Sequence, residues 1–179
     1  MRILHTSDWH IGNRLMDRSR EDEFRRFFAW LAGVLREQHI QALLLSGDVF
    51  DTSTPGDPAR ALYCEFLGQA YAAGCRHVVN TAGNHDGMAN LAVEAPILRL
   101  LGSRVVARLR PEDAEDCLVP LTDAEGREAA LVCAVPYLRP QDVSLAAPVD
   151  DEARRASAYP DGISACYARV AEAAREWKA

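Results

Sequence analysis

Three short polar clusters in the first half of the chain carry the side chains best suited to chemistry: Ser7-Asp8-Trp9-His10, Gly47-Asp48-Val49-Phe50-Asp51 and Gly83-Asn84-His85-Asp86. Carboxylate, imidazole and amide oxygen together are the donors of a divalent-cation site for Mn2+, Mg2+, iron or Zn2+, not for a thiolate-seeking metal. Asp8 and His10 are two residues apart, so at the end of a strand they face one side while Trp9 faces the other. Gly47 and Gly83 precede Asp48 and Asn84, where a missing side chain lets the backbone turn sharply and lets an ion or substrate approach. A shared carboxylate such as Asp48 could hold two ions about 3.5–4 Å apart, the spacing used for in-line displacement at phosphorus. Taken singly each cluster is a weak signal, because Gly-Asp and Asn-His ordinarily mark turns.

The elements around the clusters turn three weak signals into one. The first hundred residues alternate short apolar runs with amphipathic stretches, the rhythm of a βαβαβ unit in the α/β class. The pattern predicts strands over 2–7, 42–46 and 77–81, each running directly into one cluster. Parallel strands joined by helical crossovers bring their carboxyl ends to one edge of a sheet, so the clusters must converge there. A helix over 19–38, capped by Ser19, would bury Phe24, Phe27, Phe28, Leu31 and Leu35. Asp57 as N-cap with Pro58 at the first position opens a second helix that Gly74 ends. A shorter helix is expected over 96–102. Beyond it, strands are expected at 105–106, 117–119 and 129–135, the last two as a hairpin across 122–127. Pro136, Pro140 and Pro148 mark a looser segment, and a final helix over 161–177 has Ile163, Cys166, Val170, Ala174 and Trp177 on one face.

The motifs Asp8-x-His10, Gly47-Asp48-x-x-Asp51 and Gly83-Asn84-His85-Asp86 resemble those of the calcineurin-like metallophosphoesterase superfamily. The opening segment around Asp8-Trp9-His10, together with 47–52, 82–86 and 136–140, is similar to its DNA nuclease branch. That resemblance covers essentially the whole of residues 1–179, read as the N-terminal part of a nuclease domain. It implies that Asp8 and His10 bind a first ion, Asp48 bridges and Asn84 binds the second, the ions being Mn2+ or Mg2+. It further implies that His85 contacts the scissile phosphate or protonates the leaving oxygen, with Asp51 orienting its ring. The implied activity is 3′ to 5′ exonuclease cleavage of duplex ends and endonuclease cleavage of single strands, in DNA repair, recombination and replication. The implied partners are DNA, an ATPase subunit that gates cleavage, and a second copy in a homodimer.

The superfamily pattern continues with later Gly-His and Gly-His-x-His motifs, whereas all five histidines here (His5, His10, His39, His77 and His85) lie in the first half. The expectation is a C-terminally incomplete fold, without capping and partner-binding regions, that cleaves DNA weakly or not at all. Two alternatives stand beside it: a phosphoesterase acting on nucleotides, cyclic nucleotides or phosphoproteins, and a non-catalytic fragment that binds DNA or a partner.

Composition narrows the classes further. With 49% apolar and 26% charged residues the chain is globular, neither disordered nor fibrous. A net charge of −6 argues against a protein that holds DNA mainly by neutralising phosphates, but not against an enzyme that uses bound cations. No apolar run approaches the roughly 20 residues of a membrane span, and the opening residues do not have a signal peptide's form. Five scattered cysteines without a Cys-x-x-Cys pair read as reduced thiols of a cytoplasmic protein. His5 is expected to be packed and hydrogen-bonded, and His39 and His77 to lie on the surface. Trp9 is expected in the core, Trp30 and Trp177 in helix packing, and Asp86 in a structural role on its loop. Arg14, Arg18, Arg20, Arg25 and Arg26 follow a DNA backbone or form a solvated face paired with Glu21, Asp22 and Glu23. The acidic run Asp150-Asp151-Glu152 reads as a solvated loop or helix start.

Overall fold

A computed structural model describes residues 1–93, 95–109, 114–143 and 152–177. Strands β1 (Ile3–Thr6) and β4 (Ala42–Ser46) are separated by a hairpin, β2 (Arg14–Leu15) and β3 (Arg18–Ser19), and by helix α1 (Glu21–Glu37). Helix α2 (Asp57–Ala72), strand β5 (His77–Thr81), short helices α3 (Met88–Val93) and α4 (Ala95–Leu98), and strand β6 (Ser103–Val106) follow. The remainder holds β7 (Leu118–Thr122), β8 (Glu128–Cys133), α5 (Pro140–Val143) and α6 (Glu152–Glu176).

Strands β1, β4, β5 and β6 form one parallel sheet in the order β1-β4-β5-β6. Both faces of β4 are covered, which is why its run is continuously apolar. Leu43 and Leu45 face Phe28, Leu31 and Leu35 of α1 and Leu62, Phe66 and Leu67 of α2. Ala42 and Val79 face a second core made by Leu118, Val119 and Leu121 of β7 and Cys166 and Val170 of α6. The chain therefore stacks helices, sheet, and a hairpin with a helix, in that order. Among the described residues no helix is long and apolar enough to cross a membrane.

Several boundaries differ from expectation for identifiable reasons. Ser19 lies one place before the α1 cap, which Arg20 occupies without a side-chain bond; the Ser19 hydroxyl instead accepts from Glu21 N–H at 3.3 Å. Gly56, not Asp57, caps α2, putting Pro58 one position further in. The helical segment before Gly102 opens at Met88, ahead of the expected Pro96, and closes in a 3-10 turn over Arg99–Leu101. Helix α6 begins at Glu152 and runs through Pro160, although a proline removes one helical hydrogen bond. Gly162 lets α6 lie on α5, since a β-carbon there would overlap the Val143 carbonyl. The β2-β3 hairpin has no counterpart in the sequence pattern; its turn residues Met16 and Asp17 have φ of +44° and +61°.

Side-chain expectations fared unevenly. Trp9 is buried, its ring centroid 5.1 Å from Phe28 and 5.0 Å from Phe66. Trp30 is 62% exposed, so its helix face is not a packing face. Trp177 is also exposed, reaching Glu128 through its indole N–H at 3.4 Å. His5 is exposed, bonded to the Ser46 hydroxyl at 2.7 Å, while His77 is half-buried and tethered to Thr122 of the hairpin. Arg20 pairs with Glu23, and Arg25 with Glu21 and Glu65, so that part of the basic cluster is a paired helix face. Arg14 and Arg18 lie on the exposed hairpin instead. Pro148, Asp150 and Asp151 lie outside the described residues.

Candidate metal centre

The backbone past the ends of β1 and β4 keeps pairing after regular strand geometry stops. Asp8 N–H donates to the Gly47 carbonyl at 3.1 Å, His10 N–H to Asp48 at 2.9 Å and Ile11 N–H to Val49 at 2.8 Å. Along this irregular ladder Asp8, His10 and Asp48 take φ of +57°, +50° and +50°. Left-handed backbone at a residue other than glycine costs roughly 1–3 kcal/mol and survives only where the surroundings force it. Here the force comes from the ladder and from Trp9, locked between α1 and α2. Side-chain alternation along an extended strand therefore does not set the Asp8–His10 relation; two left-handed residues around a buried indole do.

The third loop is pressed against the second. A methyl on Gly47 would sit 3.0 Å from the Gly83 α-carbon, and one on Gly83 would overlap the Asp48 carboxylate and backbone nitrogen. Asp86, fully buried, clamps the two loops together. Its carboxylate accepts from Val49 N–H at 3.2 Å, Phe50 N–H at 3.0 Å and Gly83 N–H at 2.9 Å. This is the structural part expected of it. His85 N–H donates to Asp48 Oδ1 at 2.9 Å, which leaves the other carboxylate oxygen facing His10.

His10 Nε2 lies 3.9 Å from Asp8 Oδ1 and 3.9 Å from Asp48 Oδ2. These three residues offer ligand atoms within 4.8 Å of one another, close enough to share one ion. Asn84 is exposed and lines an open cleft of about 270 Å³ with Asp8 and Asp48. His10, Asp51 and His85 form a second possible group. The two groups share one imidazole, and a neutral imidazole has a single acceptor nitrogen. His10 Nδ1 is buried and 3.3 Å from Asp51 Oδ1, off the line a hydrogen bond requires. Asp51 Oδ1 already accepts from Asn13 at 3.0 Å. Nε2, facing two less committed carboxylates, is the better ligand atom. The donor set is hard oxygen plus one imidazole, which fits a divalent cation and uses no thiol.

His85 is exposed, and its ring centroid lies 4.9 Å from that of His10. Its Nδ1 is 2.9 Å from the Asp51 backbone carbonyl. A carbonyl only accepts, so Nδ1 carries the proton and Nε2 is left for the cleft. That bond, followed by the charges of Asp48, Asp51 and Asp86, raises the His85 pKa above the ordinary imidazole value. Asp51 thus meets His85 through its backbone and His10 through its carboxylate, a division that residue types could not reveal. Asn13, whose amide reaches Asp51, is absent from the sequence motifs; nothing in its spacing marks it.

These loops, on this sheet, define a metal-dependent phosphoesterase scaffold. Residues 1–134 match the model of the calcineurin-like phosphoesterases, and the chain belongs to that family. Within it the chain is similar to the Escherichia coli K12 protein named as the D subunit of nuclease SbcCD, with 40% identity over 143 residues, 80% of this chain and 34% of the relative. The Rhodobacter capsulatus protein of the same name is 42% identical over 148 residues, 80% of this chain and 36% of that protein. The Methanopyrus kandleri DNA double-strand break repair protein Mre11 is 35% identical over 98 residues, 54% of this chain and 22% of that one. The chain spans about a third of the length of the two SbcCD relatives.

Proposed function

We propose that this chain carries the catalytic edge of a DNA phosphodiesterase, the nuclease subunit of a DNA repair complex. The observation that supports it most is the meeting of Asp8, His10 and Asp48 within 4.8 Å, with Asn84 on the adjoining cleft. Asp8, His10 and Asp48 would hold one cation; Asp48 and Asn84 would hold the second. Cations there, Mn2+ in this proposal, would neutralise charge at phosphorus and acidify an attacking water. Asp48 would orient toward both positions because His85 N–H fixes one of its oxygens. His85, held through Nδ1–H on the Asp51 carbonyl, would direct Nε2 at the phosphate and, in its imidazolium form, pass the Nε2 proton to the leaving oxygen and return to the neutral ring.

The substrate class rests on likeness to proteins named as the SbcCD nuclease and Mre11. We extend it to 3′ to 5′ exonuclease and single-strand endonuclease action, a gating ATPase of the SbcC type, homodimerisation and a cytoplasmic location. The five thiols without a disulfide suit that compartment. Two ligands make a poor second site for an ion that prefers six, so the chain by itself should bind one ion well and cleave slowly.

Calorimetric Mn2+ titration and Mn2+-dependent cleavage of duplex DNA, set beside a small chromogenic phosphodiester, test this. The expected result is one firm site, lost in Asp8→Asn, and slow cleavage of DNA above that of the small ester. Two tight sites with rapid turnover would overturn the ligand argument. Titration unchanged in Asp8→Asn would overturn the site itself.

A further inference from the structure

We infer that Asn13 is a positioning residue: its side-chain amide holds the Asp51 carboxylate against His10 and so fixes the ring that presents Nε2 to Asp8 and Asp48. This rests on the metal reading above, in which His10 must be a ligand through Nε2.

The turn that carries Asn13 does not need its side chain. His10 carbonyl accepts from Asn13 N–H at 3.0 Å, and Gly12 supplies the positive φ of +95°. What remains for the side chain is contact beyond the turn. Asn13 Nδ2 donates to Asp51 Oδ1 at 3.0 Å, and Arg20 Nη1 donates to Asn13 Oδ1 at 3.5 Å. A guanidinium can only donate, so the amide is oriented with its oxygen toward Arg20 and its nitrogen toward Asp51. The chain of contacts then runs Arg20, Asn13, Asp51, His10.

Its end point is a buried imidazole nitrogen without a hydrogen-bond partner, 3.3 Å from the carboxylate Asn13 holds. A metal-ligating histidine ordinarily donates its other N–H to such a group, which sets the tautomer and the ring angle. Asp51 is 28% exposed in its side chain and has an alternative in solvent. Release of its Oδ1 by loss of the Asn13 amide would let it turn outward, and His10 could then carry its proton on Nε2, the nitrogen needed as a ligand. His85 serves as an internal control, because it is held by the Asp51 carbonyl, which is fixed by Asp51 N–H on the Ile11 carbonyl at 3.2 Å.

The test uses Asn13→Ala and Asn13→Asp, the second nearly isosteric but without the donor. Nitrogen-15 spectra of the metal-free chain at alkaline pH read each histidine tautomer, and MnCl2 calorimetry reads affinity. In both variants His10 should lose its Nδ1–H preference, His85 should keep its own, and Mn2+ should bind about 10-fold more weakly, as for other loosened supporting residues. An unaltered His10 tautomer in both variants, with affinity within twofold of wild type, would overturn the assignment. Asp8→Asn is run alongside. If that change leaves Mn2+ binding intact the metal reading fails by itself, while the His10 tautomer still judges Asn13.

Discussion

Removing the Asp86 carboxylate should unlock the two loops that carry Asp48 and Asn84. Asp86 is 0% exposed and accepts three backbone N–H bonds, from Val49, Phe50 and Gly83. Hydrogen bonds to a charged group contribute about 1.5–3 kcal/mol each, and a buried donor left without a partner costs about 1–3 kcal/mol. Three independent bonds would sum to about 4.5–9 kcal/mol. They share one residue and the loops can relax, so a loss of at least about 3 kcal/mol is expected for Asp86→Ala. Against a domain stability of roughly 5–15 kcal/mol, that is a large fraction. Asp86→Asn keeps the shape but turns one acceptor into a donor facing a donor, and should lose about 2 kcal/mol. Urea unfolding followed by tryptophan fluorescence measures both, and Mn2+ titration of the folded fraction should show weakened binding. A loss below about 1 kcal/mol in both variants would refute the clamp, since three such bonds cannot be worth so little together.

Gly83→Ala should fold poorly or lose Mn2+ binding, because the added methyl overlaps Asp48 backbone; thermal melts and calorimetry check this. Phe66→Ala removes a fully buried ring that packs on Trp9 and Phe28 and should cost about 3–5 kcal/mol in urea unfolding. Cys64 and Cys133 should react quickly with a thiol reagent, while Cys75, Cys117 and Cys166 wait for unfolding. Burial pushes the Cys75 and Cys117 thiols up to about 11, so neither offers thiolate at neutral pH. Asp123 has its pKa lowered by hydrogen bonds from Arg127 and Glu125 in the β7-β8 turn. Its contribution is therefore present above the usual carboxylate range and lost as pH falls through the lowered value, and Asp123→Asn should flatten that acidic slope of hairpin stability.

The convergence of the three clusters was legible because it follows from topology. A parallel sheet with helical crossovers puts strand ends together whatever the side chains are, and the apolar run at 42–46 announced a strand covered on both faces. The hairpin at Met16 and Asp17 was not legible, because no glycine or Asn-Gly pair marks its left-handed turn. Nor was the passage of α6 through Pro160, because a proline ordinarily ends a helix and no residue pattern marks this exception. His77 and Trp30 exchanged their expected places because exposure depends on which neighbour arrives, and only the hairpin at Thr122 arrived.

Residue type and order by themselves determined which side chains could ligate a cation, that they lie at strand ends, and that the sheet is parallel. Those properties reside in local chemistry and in chain periodicity. Only the tertiary structure decided which atom of each residue does what. It turned Asp8, His10 and Asp48 into left-handed backbone, set the Asp51 carbonyl against His85 and its carboxylate 3.3 Å from His10, and put the Asn13 amide on that carboxylate. The physical reason is that hydrogen-bond direction and backbone strain depend on where separate loops are pressed together, and that is settled by packing far from the residues concerned.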